Sequence, residues 1–230
     1  MRFRRQLILA TFRERPNRFL GVVDIRGEEA LCFIPNPGRM EELFHPGSKV
    51  YLMEMSSEAR KTRYDLILVD LEGILISVDS RIPNRLVAEG VQAGKMPELQ
   101  GLRIEKREPT FDSSRLDFLL TGDLDRLHLE VKSCTLVKDG TGFFPDAPTA
   151  RGSRHLKTLA RSLTVGRAAL LFVIQRPDAR SLRPNDAMDP GFGQNLREVK
   201  GMGVEVYAYN SEVTLEGVSL NQKVPVLLNN

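Results

Sequence analysis

The sequence predicts an α+β protein in two parts: a small β-barrel over residues 1–82, then a domain over residues 83–230 in which a mixed sheet is flanked by helices. Three features predict it. Up to Val78 the chain is a series of short apolar runs broken by turn residues, with no helical periodicity. Near Pro83 the pattern changes to strands interleaved with amphipathic helices. Residues 168–174 are an unbroken apolar run, as a strand buried on both faces requires.

Barrel strands are expected at residues 7–12, 19–25, 30–34, 49–55, 65–71 and 74–78. Arg26-Gly27, Pro35-Asn36-Pro37-Gly38, Pro46-Gly47 and Glu72-Gly73 supply turns between them. About five to six short strands in a stretch of this size suit an OB-like barrel. Residues 84–91 then read as a short helix, ended by Gly94-Lys95-Met96-Pro97. Strands follow at 103–107, 115–120 and 127–132, then a loop to Thr149, a helix over 150–163, the buried strand 168–174, a helix over 193–200 and a strand over 204–209. In helix 150–163, Leu156, Leu159, Ala160 and Leu163 fall on one face, and Arg154, Lys157 and Arg161 fall opposite. Arg151 and His155 lie one turn apart on the flank between.

The 230 residues, 41% hydrophobic and 27% charged, are ordinary for a soluble globular chain. No apolar run approaches the ~20 residues of a membrane span, so no membrane partner is expected. Leu7-Ile8-Leu9-Ala10, behind Arg2, Arg4 and Arg5, is too short for a secretory signal and reads as a first strand. Cys32 and Cys134 form no CxxC and have no histidine at metal-ligand spacing, which points to a reducing cytoplasm. The net charge is only +3, but it is unevenly spread. Arg2, Arg4, Arg5, Arg13, Arg15 and Arg18 face a single acid, Glu14, and no acid lies between Asp146 and Asp178. Clustered cations of this kind are the footprint of a polyanion partner.

The chemistry-bearing residues are Asp117 and the run Glu130-Val131-Lys132. Leu127, Leu129 and Val131 alternate with His128, Glu130 and Lys132, so Glu130 and Lys132 project from one face of a strand. If Asp117 lies on a neighbouring strand, two carboxylates and an ammonium converge. That equipment holds a divalent cation, Mg²⁺ or Mn²⁺, against a phosphodiester. A solvated charged strand face would show the same spacing.

Several ordered segments carry a resemblance: Arg18-Phe19-Leu20, Pro35-Asn36-Pro37-Gly38-Arg39-Met40, Asn84-Arg85-Leu86, Ser114-Arg115-Leu116-Asp117-Phe118, Glu130-Val131-Lys132-Ser133, and the longest, Gly142-Phe143-Phe144-Pro145-Asp146-Ala147-Pro148-Thr149-Ala150-Arg151-Gly152-Ser153-Arg154-His155-Leu156. Together they resemble the sugar fermentation stimulation protein A family. The resemblance implies an OB-type barrel followed by a domain similar to the PD-(D/E)xK restriction-endonuclease-like fold. It also implies DNA binding, with a role in regulating sugar-utilisation genes. In the nuclease pattern a proline precedes the first acid; here Arg115-Leu116 precede Asp117. Asp117, Glu130 and Lys132 would be the catalytic residues, with Asp117, Glu130 and an earlier acid as metal ligands. Glu105 fits that third place by position, with Glu108 and Asp112 as competitors.

DNA, single- or double-stranded, is the expected partner, held largely through its phosphates by Arg18, Arg39, Arg85, Arg115, Arg151, Arg154 and His155. Phe12, Phe19, Phe33 and Tyr51 are either base-stacking platforms or barrel core. The functions that fit are a metal-dependent nuclease, a non-catalytic DNA-binding regulator, or a small-molecule-binding accessory protein.

Overall fold

The structure is a computed structural model and describes residues 1–56, 60–112, 114–123 and 125–229. Strands β1 (Ile8–Asn17), β2 (Leu20–Ile25), β3 (Glu28–Phe33), β4 (Lys49–Glu54), β5 (Tyr64–Leu71) and β6 (Ile74–Ser77) form the first sheet, in the order β3-β2-β1-β4-β5-β6. A short parallel pairing, Cys32 with Tyr64 and Phe33 with Asp65, joins β3 to β5 and closes five strands into a barrel of OB connectivity. Phe12, Val23, Ile34, Leu52, Leu66 and Val69 fill it.

α1 (Ile82–Gln92) follows, started by Pro83 in its first turn and stopped before Gly94, whose φ is positive. The second sheet runs β17-β16-β14-β11-β10-β7, from β7 (Arg103–Arg107), β10 (Phe118–Thr121), β11 (Arg126–Cys134), β14 (Arg167–Ile174), β16 (Glu205–Val213) and β17 (Val218–Val224). β11, β14 and β16 are parallel and the outer pairings antiparallel, so the sheet is mixed as predicted. β14 is its centre, with every residue from Ala168 to Ile174 fully buried. α1 covers one face through Leu86 and Val87. α2 (Ala150–Ser162) and α3 (Pro190–Gly201) cover the other through Leu156, Leu159, Phe192 and Leu196.

The expected strand 115–120 is broken. β8 (Thr110–Phe111) and β9 (Ser114–Arg115) form a separate small hairpin, and Leu116 and Asp117 lie between it and β10. The Leu116 amide donates to the Pro109 carbonyl and the Glu108 amide to that of Asp117, so the β7–β10 pairing runs on irregularly into the hairpin. The expected loop up to Thr149 contains β12 (Val137–Lys138) and β13 (Thr141–Phe144), and β13 pairs in parallel with β15 (Ser181–Pro184). Cys32 and Cys134 are free and buried; burial pushes both thiols up to about 12, so they act as packing groups. No helix among the described residues is long and apolar enough to cross a membrane.

α2 is positioned by its N-terminus. Thr149 caps it, accepting from the Gly152 amide at 2.9 Å, and the Thr149 amide donates to Asp189 Oδ2 at 2.8 Å. Asp189 Oδ1 meanwhile accepts from the Phe192 amide and caps α3. At Gly152 an added Cβ would lie 3.2 Å from the Phe192 ring, so glycine lets the two helices close together there. We expect Asp189→Ala to lower unfolding free energy by about 1–2 kcal/mol in urea titrations, and Asp189→Asn to lower it less. Equal stability of Asp189→Ala and wild type would show that the shared cap does not hold the helix pair.

Candidate metal and nucleic-acid site

β11 places His128, Glu130, Lys132 and Cys134 on the face covered by α2, and Leu127, Leu129 and Val131 on the face covered by α1. Glu130 is only 3% exposed. Its Oε1 accepts from Lys132 Nζ at 2.5 Å and also contacts His155 Nδ1. Its Oε2 is buried with no hydrogen-bond partner. His155 is therefore not a surface residue: it is 5% exposed, one turn from Arg151, whose Nε approaches His155 Nε2 at 3.4 Å. With Arg151 donating to Nε2, the ring proton sits on Nδ1 and is donated to Glu130.

Asp117 joins from outside the ladder. The last pair of β10 and β11 on this side is Phe118 with Leu129. One step on, Asp117 Oδ2 accepts from the Val131 amide at 2.7 Å. Asp117 Oδ1 accepts from Asn84 Nδ2 of α1, also at 2.7 Å. Burial, and then the negative charge of Glu130, push the Asp117 carboxyl up to about 6. Burial also acts to raise Glu130, but His155 and Lys132 outweigh it and hold Glu130 below the usual carboxylate range. So Asp117, Glu130 and Lys132 converge as the spacing suggests.

The third acid does not. Among the described residues no group of three or more His, Cys, Asp or Glu side chains comes together as a metal cage. Glu105 falls at a bulge in the β7–β10 pairing and bonds Arg126 at 3.0 Å, at the far end of β11. Arg126 is four residues from Glu130, about 13 Å along an extended strand. Glu108 faces Arg115 and Asp112 faces Arg161, so neither competitor takes the place. Asn84 fills part of the gap instead. Its reach to Asp117 depends on how α1 packs on the sheet, which local sequence does not show.

A cleft of about 1090 Å³ runs between the barrel and the second domain. Lys132 and Arg151 line one wall and Arg18 and Arg39 the other. Arg115, Arg151, Arg154 and His155 share an adjoining hollow of about 420 Å³, so Arg151 is common to both. Arg85 is not with them: it lines a third hollow beside Arg2, Arg4 and Arg81. Arg15 is structural, donating to the carbonyls of Arg18, Asn36 and Arg39 and so fixing the Pro35–Arg39 loop. Of the aromatics, Phe12 is barrel core against Phe44, and Tyr51 is half-buried against the second domain's core. Phe19 is 48% exposed and stacks on Phe33.

The raised Asp117 carboxyl has a consequence for stability. The unfolded chain loses this proton near pH 4 and the folded chain only near 6. Ionised Asp117 therefore weakens the fold progressively between those values and fully above them. Allowing for its partial exposure, about 1–2 kcal/mol is at stake. In urea with EDTA, Asp117→Asn should be more stable than wild type at pH 8, with the Asn84 amide turned over to accept, and no more stable at pH 4. A gain of equal size at both pH values would contradict the electrostatic cause.

Residues 14–78 match the family profile described as the SfsA N-terminal OB domain, and residues 81–217 that of the sugar fermentation stimulation protein RE domain. The sugar fermentation stimulation protein homolog of Moorella thermoacetica is 49% identical over 225 residues, 96% of this chain and 97% of the relative. That of Desulforamulus reducens is 43% identical over 224 residues, 97% and 93% of the two chains. A solved structure, Pyrococcus furiosus SfsA in complex with Ca²⁺, is 30% identical with a TM-score of 0.91, covering 99% of this chain and 98% of that one. The chain belongs to the sugar fermentation stimulation protein (SfsA) family.

Proposed function

We propose that this chain binds DNA and hydrolyses its phosphodiester bonds with Mg²⁺ or Mn²⁺ held by Asp117 and Glu130, in the manner of PD-(D/E)xK nucleases. The observation that carries the reading is Glu130 Oε2: a buried carboxylate oxygen without a partner, close enough to Asp117 to raise its carboxyl. Lys132 and His155 both engage Glu130 Oε1, so Oε2 and the crowded Asp117 carboxylate are left to suit a further cation. The donor set fits Mg²⁺, which uses one or two carboxylates and keeps several waters. The Val131 carbonyl leaves its strand by the same edge as the amide that Asp117 binds, so it is available to the same ion. The Ca²⁺ in the Pyrococcus relative supports a divalent ion here.

When bound, the ion supplies Lewis-acid polarisation of the phosphate and an acidified water. The chain supplies the rest. The Val131 amide and Asn84 hold the Asp117 carboxylate in one orientation, and His155 does the same for Glu130. Lys132, 13% exposed at the cleft wall, would place a point charge where negative charge grows on the phosphoryl oxygens. Arg115, Arg151 and Arg154 hold neighbouring phosphates, and Arg18 and Arg39 do so from the barrel side. Acids facing phosphates without a cation would repel DNA, which favours a metal-loaded site over a bare binding surface. Cys32 and Cys134 as buried free thiols suit a reducing cytoplasm.

Purified protein with Mn²⁺ or Mg²⁺ should cleave DNA, and Asp117→Ala, Glu130→Gln and Lys132→Ala should each lose about a hundredfold or more. Cleavage that survives all three substitutions would refute the site. Salt-sensitive binding without cleavage would leave a DNA-binding regulator on a nuclease scaffold. Binding should weaken steeply with salt, and Arg154→Ala should reduce the slope by about one. A salt-insensitive interaction would count against phosphate contact.

A further inference from the structure

The barrel carries a second feature that the cleft does not explain. Phe19 and Phe33 lie side by side on its outer surface, ring centroids 6.1 Å apart and planes 17° from parallel. That is an offset stack. Phe19 is 48% exposed, a large cost in apolar hydration for a residue that the barrel core does not use. The Arg60 guanidinium sits over the Phe33 ring at 5.8 Å, and its charge is also held by Asp65. A hollow of about 510 Å³ lies over the pair, lined by Asn17, Phe19, Leu20, Phe33, Arg60 and Lys61 together with Thr62. Among the described residues its lining has two cations and no acid.

The hollow and the cleft already described meet at one residue. Asn17 lines both, and Arg18, between Asn17 and Phe19 in sequence, lines the cleft opposite Lys132 and Arg151. A strand seated on the rings, with Lys61 beside them, would reach Lys132 by way of Asn17 and Arg18.

We propose that this surface binds unpaired nucleobases, so that the substrate is a nucleic acid with a single-stranded segment seated on Phe19 and Phe33 and its backbone led into the cleft. The inference rests on reading the cleft as a nucleic-acid site, and it names the substrate class. A duplex presents its bases stacked on one another and offers no free face to Phe19; an unpaired base does. Every base has such a face, so the platform is indifferent to sequence. The cations match the backbone's charge.

The test is binding of the full chain, in EDTA so that nothing is cut, to labelled oligodeoxythymidine, oligouridine and a hairpin duplex of equal length. Phe19→Ala should weaken binding to the unpaired strands about tenfold or more and leave the duplex within about twofold, while Phe19→Tyr should restore wild-type affinity. Leu31→Ala, which removes exposed apolar surface without a ring, should change nothing. The thymidine and uridine strands distinguish DNA from RNA as the source of the unpaired segment. Equal loss on duplex and single strand, no loss on either single strand, or failure of tyrosine to rescue would overturn the proposal. So would sedimentation showing that Phe19→Ala dissolves a self-associated species while strand binding stays intact. Because this assay reads Phe19 without metal and the cleavage assay reads Asp117 and Lys132, each reading can fail alone.

Discussion

The hydrogen bond from the Val131 amide to Asp117 fixes the site. β10 leaves β11 after Phe118, which would strand a main-chain donor at the edge of a buried sheet. A carboxylate fills that vacancy, and in doing so is held beside Glu130. The sheet thereby turns a local irregularity into a charged centre. Asn84 and the Val131 amide lower the cost of the charge, and burial and Glu130 raise it by more. A sequence selected for stability alone would not hold two carboxylates this close, and such local conflict is typical of functional sites.

The site also needs both halves of the chain. Ile67 and Leu68 of β5 share one apolar core with α1 and with the α1-facing side of β10, β11 and β14, so the barrel is packed on the second domain rather than tethered to it. The junction is pinned by Ser77, whose amide donates to the Gln175 carbonyl and whose hydroxyl meets the Gln175 side chain. Gln175 in turn donates to Ser133, the residue after Lys132. On the barrel side, Gly38 runs so close to Asp146 that a Cβ there would lie 2.7 Å from its carboxylate. Arg18 and Arg39 are presented across the cleft from Lys132 by these contacts.

Much of this was legible in the sequence because it rests on local periodicity. The alternation in residues 127–132 set Glu130 and Lys132 on one face, the apolar run 168–174 marked the central strand, and the spacing in α2 put Leu156 and Leu159 inward. What the sequence hid depends on distant packing. Helical spacing puts His155 on a flank, yet the packing of α2 on the sheet buries it against Glu130. Glu105 had the right order along the chain, but it lies opposite Leu119 and Leu120, at the Arg126 end of β11, and bonds Arg126 instead. The break at Leu116 and Asp117 and the hairpin of β12 and β13 involve strands of only two to four residues, and β15 is made by parallel pairing with the distant β13.

The central claim is that Asp117 and Glu130 share a divalent cation. Crystals of the protein grown or soaked with Mn²⁺, measured at the manganese edge, test it directly. The account predicts an anomalous peak within about 2.0–2.4 Å of a carboxylate oxygen from each residue. No peak there at saturating Mn²⁺, or a peak bound only by other acids, would contradict it.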